Sequence, residues 1–373
     1  CATHTSRWRT DAREDYGFVD GSEQWDEEDK ETLREQLRPP VTFNRVGPVI
    51  DAVTGSEIVN RQETRFYPRE QGDVGISEHI TGAVDWVRDL CDAEDEESDA
   101  FHDMVVCGMG WTETKVDYEV DLDGQILVLR TDPLEMGWDT TAKRRNLADA
   151  KWQWRVKKYT MKEIRSRWPD KVEELAGLDG MWEDDLADVE PHNTVATDQY
   201  KSKKNSPAKR SDDGVRLIEY QWYETRAVYR MVDINDPEQK KLVTLQRAEY
   251  TALKDNFKSA GMYMPQATKQ MERVYKRCFV AGKIMLEEGP GPCKHSFSYK
   301  CMTGKRDRNR NIWYGLVRGM KDPQRWANKW LSQIMFIINS NAKGGILAEE
   351  GAFKNSRKAE SQWADPTAIT MLK

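Results

Sequence analysis

The sequence predicts an α+β fold, and three observations lead to that prediction. Apolar residues first recur at helical spacing, then alternate at strand spacing, and return to helical spacing near the end of the chain. These blocks lack the βαβ alternation of a parallel sheet. Hydrophobic residues make up only 38% of the 373 residues and charged residues 32%, yet the chain has 14 tryptophans. We therefore expect much surface per residue, with large aromatic side chains buried in a core or between subunits.

The first third of the chain is predicted to be mostly helical. The apolar spacing predicts helices over residues 7–37 (with a break at Gly21), 43–60 and 74–107. Pro39 and Pro40 end the first of these. The segment "ETRFYPRE", residues 63–70, is predicted to be a short strand. An acidic block is expected to interrupt the third helix.

After residue 110 the pattern changes to alternation. Two alternating runs within residues 111–131 flank Asp123-Gly124, which is a strong hairpin signal. Further strands are predicted over residues 149–159, 215–232 and 272–289, the last with Gly282 at its turn. Thr160 and Glu163 have the spacing of a capping box before a short helix. Residues 185–213 are polar and aperiodic, so we expect no packed structure there.

A long amphipathic helix is predicted near the end, in "YGLVRGMKDPQRWANKWLSQIMFIINSN", residues 314–341. Asp322 can cap it and Pro323 suits its first turn. One broad face is apolar: Trp326, Ala327, Trp330, Leu331, Ile334, Met335 and Ile338. The other face is polar: Arg325, Asn328, Lys329, Ser332 and Gln333. The helix is too short and too polar to span a membrane, and periodicity alone favours an ordinary helix on a globular core.

Charge is unevenly distributed along the chain. The net charge of -7 gives no global nucleic-acid footprint. Residues 272–330 carry 14 Lys and Arg against 5 Asp and Glu, whereas residues 85–103 carry 9 acids against one Arg. We interpret the acidic block as a solvated face. The six cysteines give no disulfide framework, and no signal peptide is recognisable, so synthesis in a reducing cytoplasm is expected.

Three separated segments resemble one protein family. They are "DYGFVDGSEQWDEE" with "RPPVTFNRVGPVIDAVTGSEIVNRQETRFYP", then "DPLEMGWDTTAKRRNLADAKWQWRVKKYTMKEIRSRWPD", then "YGLVRGMKDPQRWANKWLSQ" followed by small residues and "GGIL". In this order and spacing they look like the portal protein, or head-to-tail connector, of tailed double-stranded DNA bacteriophages of the podovirus type. Each segment alone is weakly specific, but together they cover most of the chain.

The resemblance implies a dodecameric ring at one vertex of the capsid, with DNA passing through its centre. It implies as partners the terminase large subunit, a tail adaptor protein, capsid and scaffolding proteins, and the double-stranded DNA. Location in the virion, and in the host cytoplasm during assembly, is implied, with no membrane. The resemblance divides the chain into a wing, 1–319 (helical to residue 110, strand-rich from 111), a stem helix, 320–341, and the start of a clip, 342–373. The second stem helix, channel loop and crown are not recognisable, so we expect an N-terminal portion.

Candidate functional residues follow from this division. Arg325 and Lys329, on the polar face, are predicted to look into or near the DNA channel, where scattered cations bind phosphate weakly. Simple solvation of a surface helix remains the alternative for both. Trp326, Trp330 and Ile334 are predicted to pack on neighbouring helices of the ring. Beyond Gly344 and Gly345, residues predicted to contact the motor or tail are Glu349, Glu350, Lys354, Arg357 and Lys358.

Patterns for catalysis or metal binding are weak. Asp139, Asp149 and Lys151 resemble a metal-dependent nuclease set, which makes a DNA-processing enzyme the alternative function, although turn chemistry accounts for the aspartates better. "GPGPCKHS", residues 289–296, lacks phosphate-loop spacing, and its prolines remove N–H donors. Zinc sites usually contain a closely spaced ligand pair, which is missing from the set Cys278, Cys293, His295 and Cys301. We predict no enzymatic activity, metal or cofactor.

Overall fold

The computed structural model describes residues 2–36, 38–61, 63–68, 73–118, 121–176, 214–232, 242–261, 266–343, 349, 352–353, 355 and 357–359. The chain divides into two compact units. The larger unit comprises Cys1–Asp15 and Ile50–Leu316, and the smaller unit comprises Tyr16–Val49 and Val317–Lys373. The predicted low-structure segment, residues 185–213, lies outside the described residues.

The helices follow the sequence pattern closely. They are α1 (Ala2–Asp20), α2 (Glu27–Glu35), α3 (Val46–Val59), α4 (Val74–Leu90), α5 (Ala93–Cys107), α6 (Met161–Arg167), α7 (Val172–Ala176), α8 (Arg247–Ser259) and α9 (Lys321–Lys343). The expected break at Gly21 is confirmed, because α1 ends just before this residue, whose φ is +83°. The Thr160–Glu163 capping box of α6 is also confirmed, with both reciprocal hydrogen bonds present. Helix α8 was not predicted.

The helical region over residues 74–107 is interrupted within the acidic block, residues 85–103. Asp92 has a left-handed backbone (φ 48°), which separates α4 from α5. Glu94, Asp95 and Glu96 then occupy the first turn of α5, where negative charge is favourable to the helix dipole. Arg88 of α4 donates two hydrogen bonds to Glu97 of α5, at 2.9 and 2.8 Å. The prediction of a helical region over residues 74–107 that is interrupted within the acidic block is therefore confirmed, with the break at residues 91–92.

The predicted strand over residues 63–70 is also wrong. Residues 63–68 form no regular structure, and residues 69 and 70 lie outside the described part of the chain. The backbone N–H of Phe66 donates to the hydroxyl of Thr81 on α4, at 3.2 Å. A strand needs a partner strand, and the sheets among the described residues contain none beside this segment.

The strands form antiparallel sheets in the larger unit. They are β1 (Met109–Asp117), β2 (Gln125–Thr131), β3 (Met136–Trp138), β4 (Trp152–Thr160), β5 (Gly214–Val232), β6 (Leu242–Gln246), β7 (Thr268–Ala281), β8 (Ile284–Pro290), β9 (Tyr299–Thr303), β10 (Lys305–Asp307) and β11 (Ile312–Tyr314). One sheet has the order β2-β1-β9, and the large one β3-β4-β5-β7-β8 with β6 beside β5. Both predicted hairpins are confirmed: Gly124 and Gly282 sit at the turns with φ of 91° and 58°.

Tryptophans form much of the core, as their number suggested. In the larger unit the rings of Trp8 and Trp138 meet edge to face, with centroids 5.0 Å apart. The indole N–H of Trp8 donates to the carbonyl of Trp313 at 2.9 Å. Trp111 is fully buried. The buried tryptophans among the described residues are Trp8, Trp25, Trp111, Trp138, Trp168 and Trp313, whereas Trp86, Trp326 and Trp330 are exposed.

A buried charged cluster joins the two larger sheets. Arg155 of β4 binds Glu113 of β1 at 3.0 Å and Glu135 of a 3₁₀ turn at 2.9 Å. The hydroxyl of Tyr299 on β9 donates to Glu219 of β5 at 3.0 Å. We call these five residues the inter-sheet cluster.

Carboxylates in the inter-sheet cluster are held in an unfavourable environment. Burial raises the pKa of Glu113, and the nearby Glu219 raises it further, while Arg155 opposes both. Burial likewise raises the pKa of Glu135 against the opposing attraction of Arg155. Burial would lower the pKa of Arg155, but its carboxylate neighbours outweigh this and hold that pKa above its ordinary value. Arg155 is therefore the cation on which the buried carboxylates depend.

Candidate functional site

Helix α9 carries most of the candidate residues. It runs from Lys321 to Lys343, close to the bounds of 320–341 predicted for the stem helix. Asp322 consequently lies within the first turn, where its charge favours the helix dipole, and does not form the predicted N-cap. A 3₁₀ turn, Val317–Gly319, precedes the helix.

The face of α9 that is buried within the smaller unit is polar. Gln324, Asn328 and Ser332, spaced four residues apart, are all buried. The side-chain oxygens of Asn328 and Ser332 accept hydrogen bonds from the backbone N–H groups of Phe43 (3.1 Å) and Val41 (2.9 Å). The amide of Gln324 donates to the carbonyl of Phe43 at 2.6 Å. These side chains thus satisfy the backbone of a segment that belongs to no sheet.

Gln24 completes this buried network. Its carbonyl oxygen accepts from Asn328 at 3.0 Å and from Gln324 at 3.1 Å. Its own amide donates to the carbonyl of Phe18 (2.8 Å) and to Asn44 (2.9 Å). We call Gln24, Asn44, Gln324, Asn328 and Ser332 the amide network. Such a network fixes one register, because a displaced helix would leave several buried polar groups without partners.

The polar face of α9 predicted from the sequence is therefore partly buried, because Asn328 and Ser332 are held inside the smaller unit. Sequence reasoning also missed Gln24, Asn44 and Gln324. The signal available was the run of small polar and amide side chains at four-residue spacing on α9, which is typical of a buried polar stripe as well as of a solvated one.

Arg325 and Lys329 border this buried face, and each is paired with an acid of the smaller unit. Arg325 lies 3.3 Å from Asp26, and Lys329 lies 2.5 Å from Asp29. The Arg325 guanidinium also lies over the ring of Phe18, 5.2 Å from its centroid. Both cations are therefore partly neutralised before any external ligand arrives.

The exposed face of α9 is apolar. Trp326 is 62% exposed and Trp330 64% exposed, and Ile334 and Ile338 continue the same line at four-residue spacing. We call these four residues the tryptophan stripe; from Trp326 to Ile338 it runs about 18 Å along the helix. The sequence correctly grouped them on one face. An apolar line with two tryptophans is typical of a protein interface.

The predicted motor or tail contacts are only partly within the described residues. Glu349, Arg357 and Lys358 are exposed. Glu350 and Lys354 lie outside the described residues, as do Gly344 and Gly345. The role of all five predicted contact residues stays a prediction.

Asp139 and Asp149 shape a turn. Asp139 accepts from the N–H groups of Thr141 (2.9 Å) and Lys151 (3.1 Å). Asp149 accepts from the N–H of Lys143 at 2.7 Å and of Arg144 at 3.1 Å. Partial burial would raise the pKa of Asp149, but these backbone donors hold it below its ordinary value. Turn chemistry is thus confirmed, and nothing here favours the nuclease-like alternative.

The remaining candidate motifs have structural roles in the larger unit. Gly289 and Pro290 belong to β8, and the N–H of Gly291 donates to the carbonyl of Tyr275 at 2.8 Å, so this segment continues a hairpin. Cys278 and Cys301 are buried free thiols. Burial, reinforced by Cys107, raises the pKa of Cys301 well above its ordinary value. Across the described ranges no three His, Cys, Asp or Glu side chains cluster as metal ligands, and no helix is suited to cross a bilayer.

Comparison with known proteins adds one finding. A family model described as "Phage P22-like portal protein" matches residues 1–373. A search among curated proteins finds no match. The family match covers both compact units, and the segments that carried the resemblance in the sequence all lie within it.

Proposed function

This chain belongs to the phage P22-like portal protein family, and on that premise we propose that it forms a closed ring, a dodecamer, through which DNA is packaged and ejected. Membership itself implies a phage portal function, a place in the virion capsid and a structural role instead of an enzymatic one.

The observation that carries the proposal is the tryptophan stripe. The opposite face of α9 is held inside the smaller unit by the amide network, so the stripe cannot turn inward without breaking buried hydrogen bonds. Trp326 and Trp330 expose roughly three-fifths of their surfaces. Covering that exposed part of two tryptophans, each about 150–250 Å² in full, would contribute about 5–8 kcal/mol before association costs. In a ring, the neighbouring subunit would bury these two tryptophan side chains.

We propose that residues 320–341 form the stem beside the channel, with Arg325 and Lys329 near the passing DNA. Their pairing with Asp26 and Asp29 reduces the net positive charge on that side. Fewer available cations means weaker phosphate binding and a smaller electrostatic barrier to sliding. A channel that must release DNA is better served by such paired cations than by a dense basic groove.

The remaining assignments follow the family map. The wing, residues 1–319, would contact capsid and scaffolding proteins. The clip, residues 342–373, would bind the terminase large subunit during packaging and the tail adaptor afterwards. Exposed Glu349, Arg357 and Lys358 would present a mixed-charge surface, which influences partner choice and association rate more than affinity. Assembly would take place in the host cytoplasm.

Assembly of the purified protein tests the central proposal. We expect rings in negative-stain images and a single large species in sedimentation velocity. Trp330→Ala should abolish or strongly weaken the ring, since a buried tryptophan is a common interface hot spot. Trp86→Ala is the matched control, because Trp86 is equally exposed, at 64%, and lies on another helix. Unchanged rings with Trp330→Ala would refute the proposed role of the stripe.

A further inference from the structure

The larger unit contains an apolar groove that its own described residues do not fill. It lies between α4 and one face of the β2-β1-β9 sheet and has a volume of about 780 Å³. Its walls include Ile80, Val84 and Val87 from α4, and Ile126, Val128 and Met302 from the sheet. Ile80 and Ile126 are each more than two-fifths exposed. We call this feature the α4 groove.

The walls of the α4 groove are apolar, and the charged side chains at its border are bound to neighbouring groups. Arg88 and Glu97, which border it, bind each other through two hydrogen bonds of 2.9 and 2.8 Å. Lys300, the other charged residue at its border, donates to the hydroxyl of Ser296 at 2.6 Å. A hydrophobic ligand can therefore bind in the groove without desolvating an unpaired carboxylate.

The tryptophan stripe is apolar, as the α4 groove is. No charged residue occurs between Trp330 and Ala342. The residues of α4 that line the groove, from Ile80 to Arg88, span about 12 Å, which is the length of the stripe from Trp326 to Ile334. Two tryptophans one turn apart on a helix are rigid anchors, and anchors of this type bind in desolvated apolar sockets.

We propose that the α4 groove receives the tryptophan stripe of a second copy of this chain, in a head-to-tail contact. This proposal rests on the proposed ring. A closed ring with more than two identical subunits needs two different complementary surfaces on every chain. The groove and the stripe are two such surfaces. If two stripes paired with each other instead, the contact would close a dimer and leave both grooves open to water.

Two variants that each damage one side of the contact test the proposal. Val84→Glu places a charge in the groove, and Trp330→Glu places one in the stripe. Each variant alone should be monomeric in sedimentation velocity. When they are mixed, the intact stripe of the Val84→Glu chain can bind the intact groove of the Trp330→Glu chain. The mixture should therefore form one-to-one dimers with increasing concentration, and no larger species.

Matched controls keep the outcomes separate. Val74→Glu adds the same charge to α4 outside the groove lining, and Trp86→Glu replaces an equally exposed tryptophan outside both surfaces; both should form rings. Circular dichroism and thermal unfolding should show that every variant is folded. A Val84→Glu chain that is folded and still forms rings, or a mixture that stays monomeric at all concentrations, overturns the groove proposal. Absence of rings with the unmodified chain overturns the proposed function itself.

Discussion

Replacing Arg155 with Met should destabilise the larger unit severely at neutral pH. Arg155 is the cation that contacts Glu113 and Glu135, and all three side chains are mostly buried. Met keeps the packing of the aliphatic part of the side chain and removes the charged guanidinium. Breaking a buried ion pair from one side typically costs about 3–5 kcal/mol, because the remaining charge is left without compensation. Here two carboxylates are left, so we expect a loss near the upper end of that range at pH 7.

The loss should depend on pH in a defined direction. The pKa values of Glu113 and Glu135 are already raised in the folded protein, so the folded state binds more protons than the unfolded one above the ordinary glutamate pKa. The free energy of unfolding then falls as pH rises through this range. Removing Arg155 raises both pKa values further. The variant should therefore be less impaired at pH 5 than at pH 7.

Urea unfolding at the two pH values, followed by tryptophan fluorescence, measures this effect. Replacing both acids as well, in Arg155→Met/Glu113→Gln/Glu135→Gln, should restore most of the stability, because no uncompensated charge remains. Arg226→Met is a control, since the pair of Arg226 with Glu272 is long, at 3.7 Å, and exposed. A loss below about 1 kcal/mol at pH 7, the ordinary range for surface pairs, would refute the reasoning, as would a triple variant no better than Arg155→Met.

Three further predictions concern the smaller unit, ATP hydrolysis and the clip. Asn328→Ala should lower the free energy of unfolding of the smaller unit by about 1–3 kcal/mol, because the N–H of Phe43 and the oxygen of Gln24 lose a buried partner; an unchanged urea midpoint would contradict this. The purified chain should not hydrolyse ATP, and turnover that a substitution in this chain abolishes would show otherwise. Deleting residues 346–358 from the full-length protein should abolish terminase binding in a pull-down while the wing keeps its circular dichroism; normal recruitment would exclude this segment as the docking site.

Local signals in the sequence predicted local structure well. Asp123-Gly124 and Gly282 marked their hairpins because only a few residues accept the positive φ of such turns. The capping box of α6 was recognisable from two residues. The acidic block indicated an interruption between residues 74 and 107, but its exact position was not recognisable, since Asp92 adopts a left-handed conformation that non-glycine residues rarely take. The false strand at residues 63–70 shows that an apolar pattern cannot reveal whether a partner strand exists.

The candidate site was predictable in one respect only. Periodicity correctly gathered Trp326, Trp330 and Ile334 on one face of α9. It could not reveal which face the subunit buries, because that depends on Phe43 and Gln24, about 300 residues away in the chain. The inter-sheet cluster was invisible for the same reason: Glu113 and Arg155 meet only after two sheets have formed.

The amide network also has a mechanical consequence. Side chains of α9 hold the backbone of residues 41–43 at fixed positions along the helix. A slip of the helix by one residue would rotate it by about 100° and break these bonds together. A load applied along α9 is therefore transmitted to residues 41–43 and is not relieved by sliding of the helix. Any tilt or twist of α9 would therefore move residues 41–43 together with the helix.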